Sequence, residues 1–178
     1  MEIIDTIRKH PLYKEHYGKL QELEKGRVFC HHDMAHFLDV ARIAHIHNLE
    51  RDLKIRKEVI YAAALLHDIG KDRQYTEKIP HERASAEIAE QILNDVATGT
   101  ASAEIAGSEQ ERRRETFSGE ERDEILQAIL GHRKRRGGMG VLEELLYVSD
   151  KQSRSCFACA AKEGCDWSEE EKNDRIKS

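Results

Sequence analysis

The stretch Leu65-Leu66-His67-Asp68-Ile69-Gly70-Lys71 decides the reading of this chain. It closes an apolar run with an imidazole and a carboxylate side by side and then stops at a glycine. Adjacent residues on a helix point about a quarter turn or more apart, yet both reach one ion that lies between their directions. A buried carboxylate is costly unless something positive answers it. The reading therefore turns on whether the rest of the chain supplies further ligands.

Outward from that stretch, helical periodicity dominates. Strand signatures are almost absent, since no β-branched runs alternate with polar residues. The pattern predicts helices within Ile3 to Lys25 (closed by Gly26), from Asp33 to Asn48, from Ile55 to Ile69 and from His81, just after Pro80, to Asn94. Ser118 followed by Glu121 is a capping-box signal for a fifth, from Gly119 to Lys134. A sixth follows Gly137-Gly138-Met139-Gly140 and runs to about Arg154. Between Asp95 and Gly119, Thr98-Gly99-Thr100-Ala101-Ser102 and the charged run Glu109 to Glu115 read as a flexible insertion. The expected fold is all-α, with residues 1–155 as one helical-bundle domain and 156–178 as a cysteine-containing tail.

A chain of 178 residues is long enough for one core and short for two. Apolar residues at 39% and charged residues at 35% describe a globular protein with a well-solvated surface. A net charge of −5 argues against general nucleic-acid binding. No stretch approaches the ~20 apolar residues of a membrane span. The N-terminal residues carry Glu2 and Asp5 and lack the apolar core of a secretory signal, so a cytoplasmic protein is expected. The ten histidines are a surplus that calls for a reason, because histidine is the commonest metal ligand.

The predicted helices supply that reason. His36, Val40, Ile43, Ala44 and His47 share one stripe, and Ile60, Ala63, Ala64 and His67 share another. His81, Ala84, Ser85, Ile88 and Ile92 align in the same way, as do Ile125, Ala128, Ile129 and His132, and Leu142, Leu145, Leu146 and Asp150. Taken alone, any one of these histidines reads as a satisfied core residue, and Asp150 as a helix-end residue facing solvent. Five helices that each turn a metal-competent residue toward the core, with Asp68 in addition, would leave several buried polar atoms unsatisfied unless a cation joins them.

The order His36, His67-Asp68, His81, His132, Asp150 resembles the HD-domain metal-dependent phosphohydrolase superfamily over roughly residues 30–154. His36-Phe37-Leu38-Asp39-Val40 resembles its first ligand helix, the His67-Asp68 stretch its defining motif, and Leu146-Tyr147-Val148-Ser149-Asp150 the segment of its last aspartate. Ala128 to His132, Gly137, Met139, Tyr147 to Asp150 and Arg154 look most like the bacterial symmetrical diadenosine tetraphosphatase branch. The chain departs from that branch in the run Arg133-Lys134-Arg135-Arg136, in the insertion and in the tail cysteines.

The resemblance implies a metal-activated water acting on a phosphoester or phosphoanhydride of a small phosphorylated, nucleotide-type substrate. His36, His67, Asp68 and Asp150 would hold one divalent ion, and His81 and His132, with Asp68 bridging, a second. Mixed nitrogen and oxygen ligation suits iron, manganese, cobalt or zinc. Asp68 and Lys71 are the expected catalytic residues, Lys71 by neutralising phosphate charge or else a solvated helix-end lysine. Arg133, Arg136 and Arg154 are candidate substrate contacts, since arginine binds phosphate through two donors. A diiron oxygenase on the same scaffold and a non-catalytic signalling domain are the rival readings.

Cys156-x2-Cys159-x5-Cys165 begins with metal-clip spacing. It is a candidate second metal site, for zinc or an iron–sulfur cluster, with Cys30, His31 or His32 as the fourth ligand. Free cysteines in a reducing cell are the alternative.

Overall fold

The computed structural model describes residues 1–99 and 116–176. Among them are eight α-helices and no strand. The fold is all-α. The expected insertion falls largely outside the described residues, but Asp95 to Thr98 continue a helix and Phe117 is buried in the core.

The first predicted helical region is two helices, α1 (Glu2–Lys9) and α2 (Pro11–Glu24). The break lies at His10-Pro11, because proline disfavours a helical residue before it and offers no N–H to continue the ladder. His10 is extended there (ψ 138°), and its Nδ1 accepts from the Leu12 N–H at 3.2 Å, so it caps the new helix.

Helix α3 (Met34–Glu50) starts at Asp33, whose carboxylate accepts from the His36 N–H at 2.9 Å. Helix α4 (Lys57–Leu66) buries Val59, Ile60, Ala62, Ala63, Ala64, Leu65 and Leu66. An element that is apolar nearly all round belongs inside a bundle, and α4 packs against α1, α3 and three later helices. It ends three residues before the expected Ile69, and residues 67–70 form a turn.

The short helix α5 (Lys71–Glu77) follows that turn, where the sequence Lys-Asp-Arg-Gln-Tyr-Thr-Glu has no apolar period to announce it. Helix α6 (His81–Thr98) ends on Gly99, whose φ of +74° is the left-handed cap geometry that glycine adopts freely. Helix α7 (Gly119–Gly131) opens with the Ser118–Glu121 capping box, both halves formed. Helix α8 (Val141–Gln152) completes the bundle against α3 and α7. The tail then makes two 3-10 turns, Cys156–Ala158 and Lys162–Gly164. It is tied back by buried Asn173, whose amide donates to the Gln152 and Arg154 carbonyls at 2.9 Å each.

Candidate metal centre

Each of the six side chains sits where an element begins, ends or turns. His36 is in the first turn of α3, His81 opens α6, and His132 caps the C-terminus of α7. His67 and Asp68 lie in the turn after α4, and Asp150 in the last turn of α8. All six are buried. Asp68 stands between the others. Its Oδ2 lies 3.3 Å from His67 Nε2 and 3.9 Å from His36 Nε2; its Oδ1 lies 3.3 Å from His81 Nε2 and 3.7 Å from His132 Nε2. Asp150 Oδ1 is 3.4 Å from His36 Nε2 and 3.7 Å from His67 Nε2. Two groups result, His36-His67-Asp68-Asp150 and Asp68-His81-His132, each with its donor atoms within 4.8 Å of one another.

The outer hydrogen bonds fix which ring nitrogen faces inward. His67 Nδ1 lies 2.7 Å from the Ala64 carbonyl and His132 Nδ1 2.6 Å from the Ile129 carbonyl. A carbonyl only accepts, so both Nδ1 atoms donate. His81 Nδ1 donates to Gln74 Oε1 at 2.8 Å. His36 Nδ1 donates to Ser153 Oγ at 3.0 Å, and that hydroxyl spends its own proton on the Asp150 carbonyl at 2.7 Å. Four Nε2 atoms thereby converge, each with its ring oriented from behind, the arrangement that metal-ligating histidines use.

Electrostatics point the same way. His67 Nε2, Asp68 Oδ1 and Asp150 Oδ1 are buried without a hydrogen-bond partner. His81 Nε2 and His132 Nε2 face each other at 3.3 Å. With both Nδ1 atoms donating, that contact opposes two lone pairs unless a positive charge stands nearby. Burial, and next Arg154, pushes the His36 pKa down to about 2, so it stays neutral. Burial likewise takes His81 down to about 2. Burial works against the charged form of His67 as well, but Asp68 and Asp150 override it and raise His67 to about 9. Burial opposes charge on Asp68 too, yet Lys71 and the histidines hold it well below the usual carboxylate range. Two carboxylates and four imidazoles, three of their atoms without a hydrogen-bond partner, are thus gathered around two shared points, and the positive charge drawn onto His67 is charge that a cation would replace, which fits two divalent ions.

The centre opens into a cavity of about 310 Å³. Lys71, Arg133, Lys134, Lys151 and Arg154 line it. Arg136, expected beside Arg133, is elsewhere. Helix α7 stops at Gly131 rather than at the expected Lys134, so the basic run is a loop and carries Arg136 away from Arg133. Arg136 turns to Glu143 Oε1 at 2.7 Å and lines a different cavity. Arg154 is buried rather than presented at the surface: its Nη1 donates to the His31 carbonyl and its Nη2 to His36 Nε2, at 2.7 and 2.8 Å. Cys156, Cys159 and Cys165 line a second cavity beside the first.

His32 is the neighbour that the helical pattern passes over. Its Nε2 lies 3.6 Å from Asp68 Oδ2 and its Nδ1 2.5 Å from Glu24 Oε1. Glu24 also accepts from the His32 N–H at 2.7 Å and from Tyr75 Oη at 2.6 Å. His32 sits in the loop before α3, outside any periodic stripe; the pair His31-His32 directly before the cap Asp33 is its one sequence signal.

The HD domain family model matches residues 34–163, from the start of α3 into the tail. The chain belongs to the HD-domain family. The match begins after α1 and α2 and takes in all six clustered residues. The HD chain is also similar, at 38% identity over 176 residues and 99% of both chains, to an uncharacterised protein of Clostridium beijerinckii. No solved structure matches it. These comparisons name the HD domain and no particular branch of it. No helix among the described residues is long and apolar enough to cross a membrane.

Proposed function

We propose that the protein is a two-metal hydrolase that cleaves a phosphoester or phosphoanhydride of a nucleotide. The observation that carries this reading is Asp68, whose two oxygens face two separate groups of donors beneath a cationic cavity. His36, His67, Asp68 and Asp150 would hold one ion, and Asp68, His81 and His132 the other. Two such ions supply charge neutralisation for a phosphate and a lowered pKa for bound water.

The protein's own groups do the remaining work. Lys71, Arg133, Lys134 and Lys151 bring positive charge to the cavity wall, where a phosphate chain would lie. Gln74, Ser153 and the Ala64 and Ile129 carbonyls keep four Nε2 atoms aimed inward. Trp167 lines the same cavity with its indole, which favours a substrate that carries a stackable base. Its face already receives the Lys151 ammonium, 4.4 Å from a ring centroid, so ring and charge are presented together.

The test uses chelator-treated protein reloaded separately with Mn²⁺, Fe²⁺, Co²⁺ and Zn²⁺. Each form is offered nucleoside mono-, di- and triphosphates, cyclic nucleotides and dinucleoside polyphosphates. Phosphate or nucleotide release that needs metal and disappears in Asp68→Ala supports the reading. Oxygen consumption without phosphate release would move the protein to oxygenase chemistry, and tight metal binding with no turnover to a binding role; either contradicts it.

A further inference from the structure

All four cysteines of the chain line one cavity of about 190 Å³ next to the HD centre. Cys30 comes from the loop before α3; Cys156, Cys159 and Cys165 come from the tail. All four are free thiols. They are electrostatic neighbours: burial raises the Cys30 pKa, Arg154 pulls it back, and Cys156, Cys159 and Cys165 each push it up again.

The surroundings are built to keep these groups together. The Cys30 carbonyl accepts from Arg27 Nε at 2.9 Å, and the next carbonyl, of His31, accepts from Arg154 at 2.7 Å. Arg154 itself stands two residues before Cys156, so one buried guanidinium joins the Cys30 loop to the start of the tail. On the far side, the Phe157 N–H donates to the Asn173 carbonyl, while the buried Asn173 amide binds the end of α8. The lining is strongly cationic: Arg27, Lys71, Arg154, Lys162 and Lys172 against Asp166 alone. A cationic lining favours a bound group whose thiolate ligands carry negative charge, and thiolate is the ligand that soft metals select.

Of Cys30, His31 and His32, Cys30 is the one that lines the cavity with a donor not already turned to a carboxylate. Both nitrogens of His32 are turned to carboxylates, Nδ1 to Glu24 and Nε2 to Asp68. His31 is exposed and does not line the cavity.

We propose that Cys30, Cys156, Cys159 and Cys165 hold an iron–sulfur cluster. A four-cysteine zinc site brings its sulfurs to about 3.8 Å from one another, from a Zn–S bond of about 2.3 Å in tetrahedral array. Among the described residues, no three of these sulfurs gather within 4.8 Å. All four line one cavity of about 190 Å³. Four cysteines that line one cavity without closing on a single point suit a polynuclear core coordinated from outside by four thiolates.

The full chain, purified without oxygen, provides the test through iron, acid-labile sulfide and the visible spectrum. Sulfide reports the cysteine site alone, since the His/Asp centre contains none. The expected result is about two or about four sulfides per chain, as a two-iron or four-iron cluster would give, with broad visible absorption, lost in Cys159→Ser and in Cys165→Ser and kept in Asp68→Ala. Far-ultraviolet circular dichroism shows whether each variant remains helical. In the native protein the four thiols are expected to resist alkylation until the cluster is destroyed. Protein with no sulfide and four freely alkylated cysteines, or with one zinc per chain at these residues, would overturn the proposal, whatever becomes of the HD centre.

Discussion

At the scale of single residues, Asp68 does the most, because it is the one side chain common to both donor groups. Asp68→Ala is expected to remove metal from both, and with it activity. His81→Ala is expected to spare the other group, and elemental analysis separates the two outcomes. Gln74 orients the centre through its hydrogen bond with His81 Nδ1. Gln74→Ala should weaken metal binding about 10- to 100-fold, the usual effect of losing a group that orients a ligand, as read by competition with a chromogenic chelator. Arg135, paired with exposed Glu144 at 2.9 Å, should change stability by no more than roughly 0.5 kcal/mol when made Ala.

Glu24 gives a pH signature of its own. Burial raises its pKa, but the His32 side chain, the Tyr75 hydroxyl and the His32 N–H outweigh that and take it from 4.5 down to about 2. A carboxyl depressed in the folded state stabilises above its unfolded pKa and loses that contribution as pH falls toward the folded value. The window is therefore pH 4.5 down to about 2. Glu24→Gln should cost roughly 1–3 kcal/mol at neutral pH. It should also flatten the loss of stability across that acid window in urea titrations. Five of the six clustered side chains were legible because each continues or lies on an apolar helical stripe, and Asp68 because it adjoins His67. His32 was not, since a loop has no period, and Arg136 was misplaced because its run was taken as helical.

At the scale of elements, the turn between α4 and α5 positions the centre, and Gly70 allows it. A Cβ there would meet backbone atoms of α6, Ser85 N at 2.4 Å and Ala84 C at 2.5 Å. Neither neighbour can move alone, because both belong to the helix that carries His81. The Gly70 N–H also donates to Ser85 Oγ at 2.9 Å. Gly70→Ala should therefore cost about 1–3 kcal/mol, the range of overpacking, and reduce metal content as well, since α4 and α6 must separate. Chemical denaturation and elemental analysis of the same sample check both effects. Most helices were legible from periodicity. Helix α5 was not, because its seven residues bury only Asp72 and have no apolar face to show.

At the scale of the whole molecule, the candidate ligands come from α3, the α4–α5 turn, α6, α7 and α8, so bound ions would tie five parts of the bundle together. A ligand that binds only the folded state stabilises it by about 2.7 kcal/mol at a hundredfold excess over Kd. At about 2–4 °C per kcal/mol for a chain of this size, metal removal should lower Tm by roughly 5–10 °C. Calorimetry before and after chelation, with reloading as the control, reads that shift. The all-helical architecture was legible in the sequence. The meeting of Cys30 with the tail was left open among three residues, because nothing local in a sequence says which distant loop a terminal segment will lie against.

The most direct measurement is equilibrium dialysis of Mn²⁺, a hard ion that thiolates do not favour, against chelator-treated wild type and Asp68→Ala. Two ions per chain in the wild type and none held tightly in the variant is the expected result. Two ions retained without the Asp68 carboxylate would contradict the account.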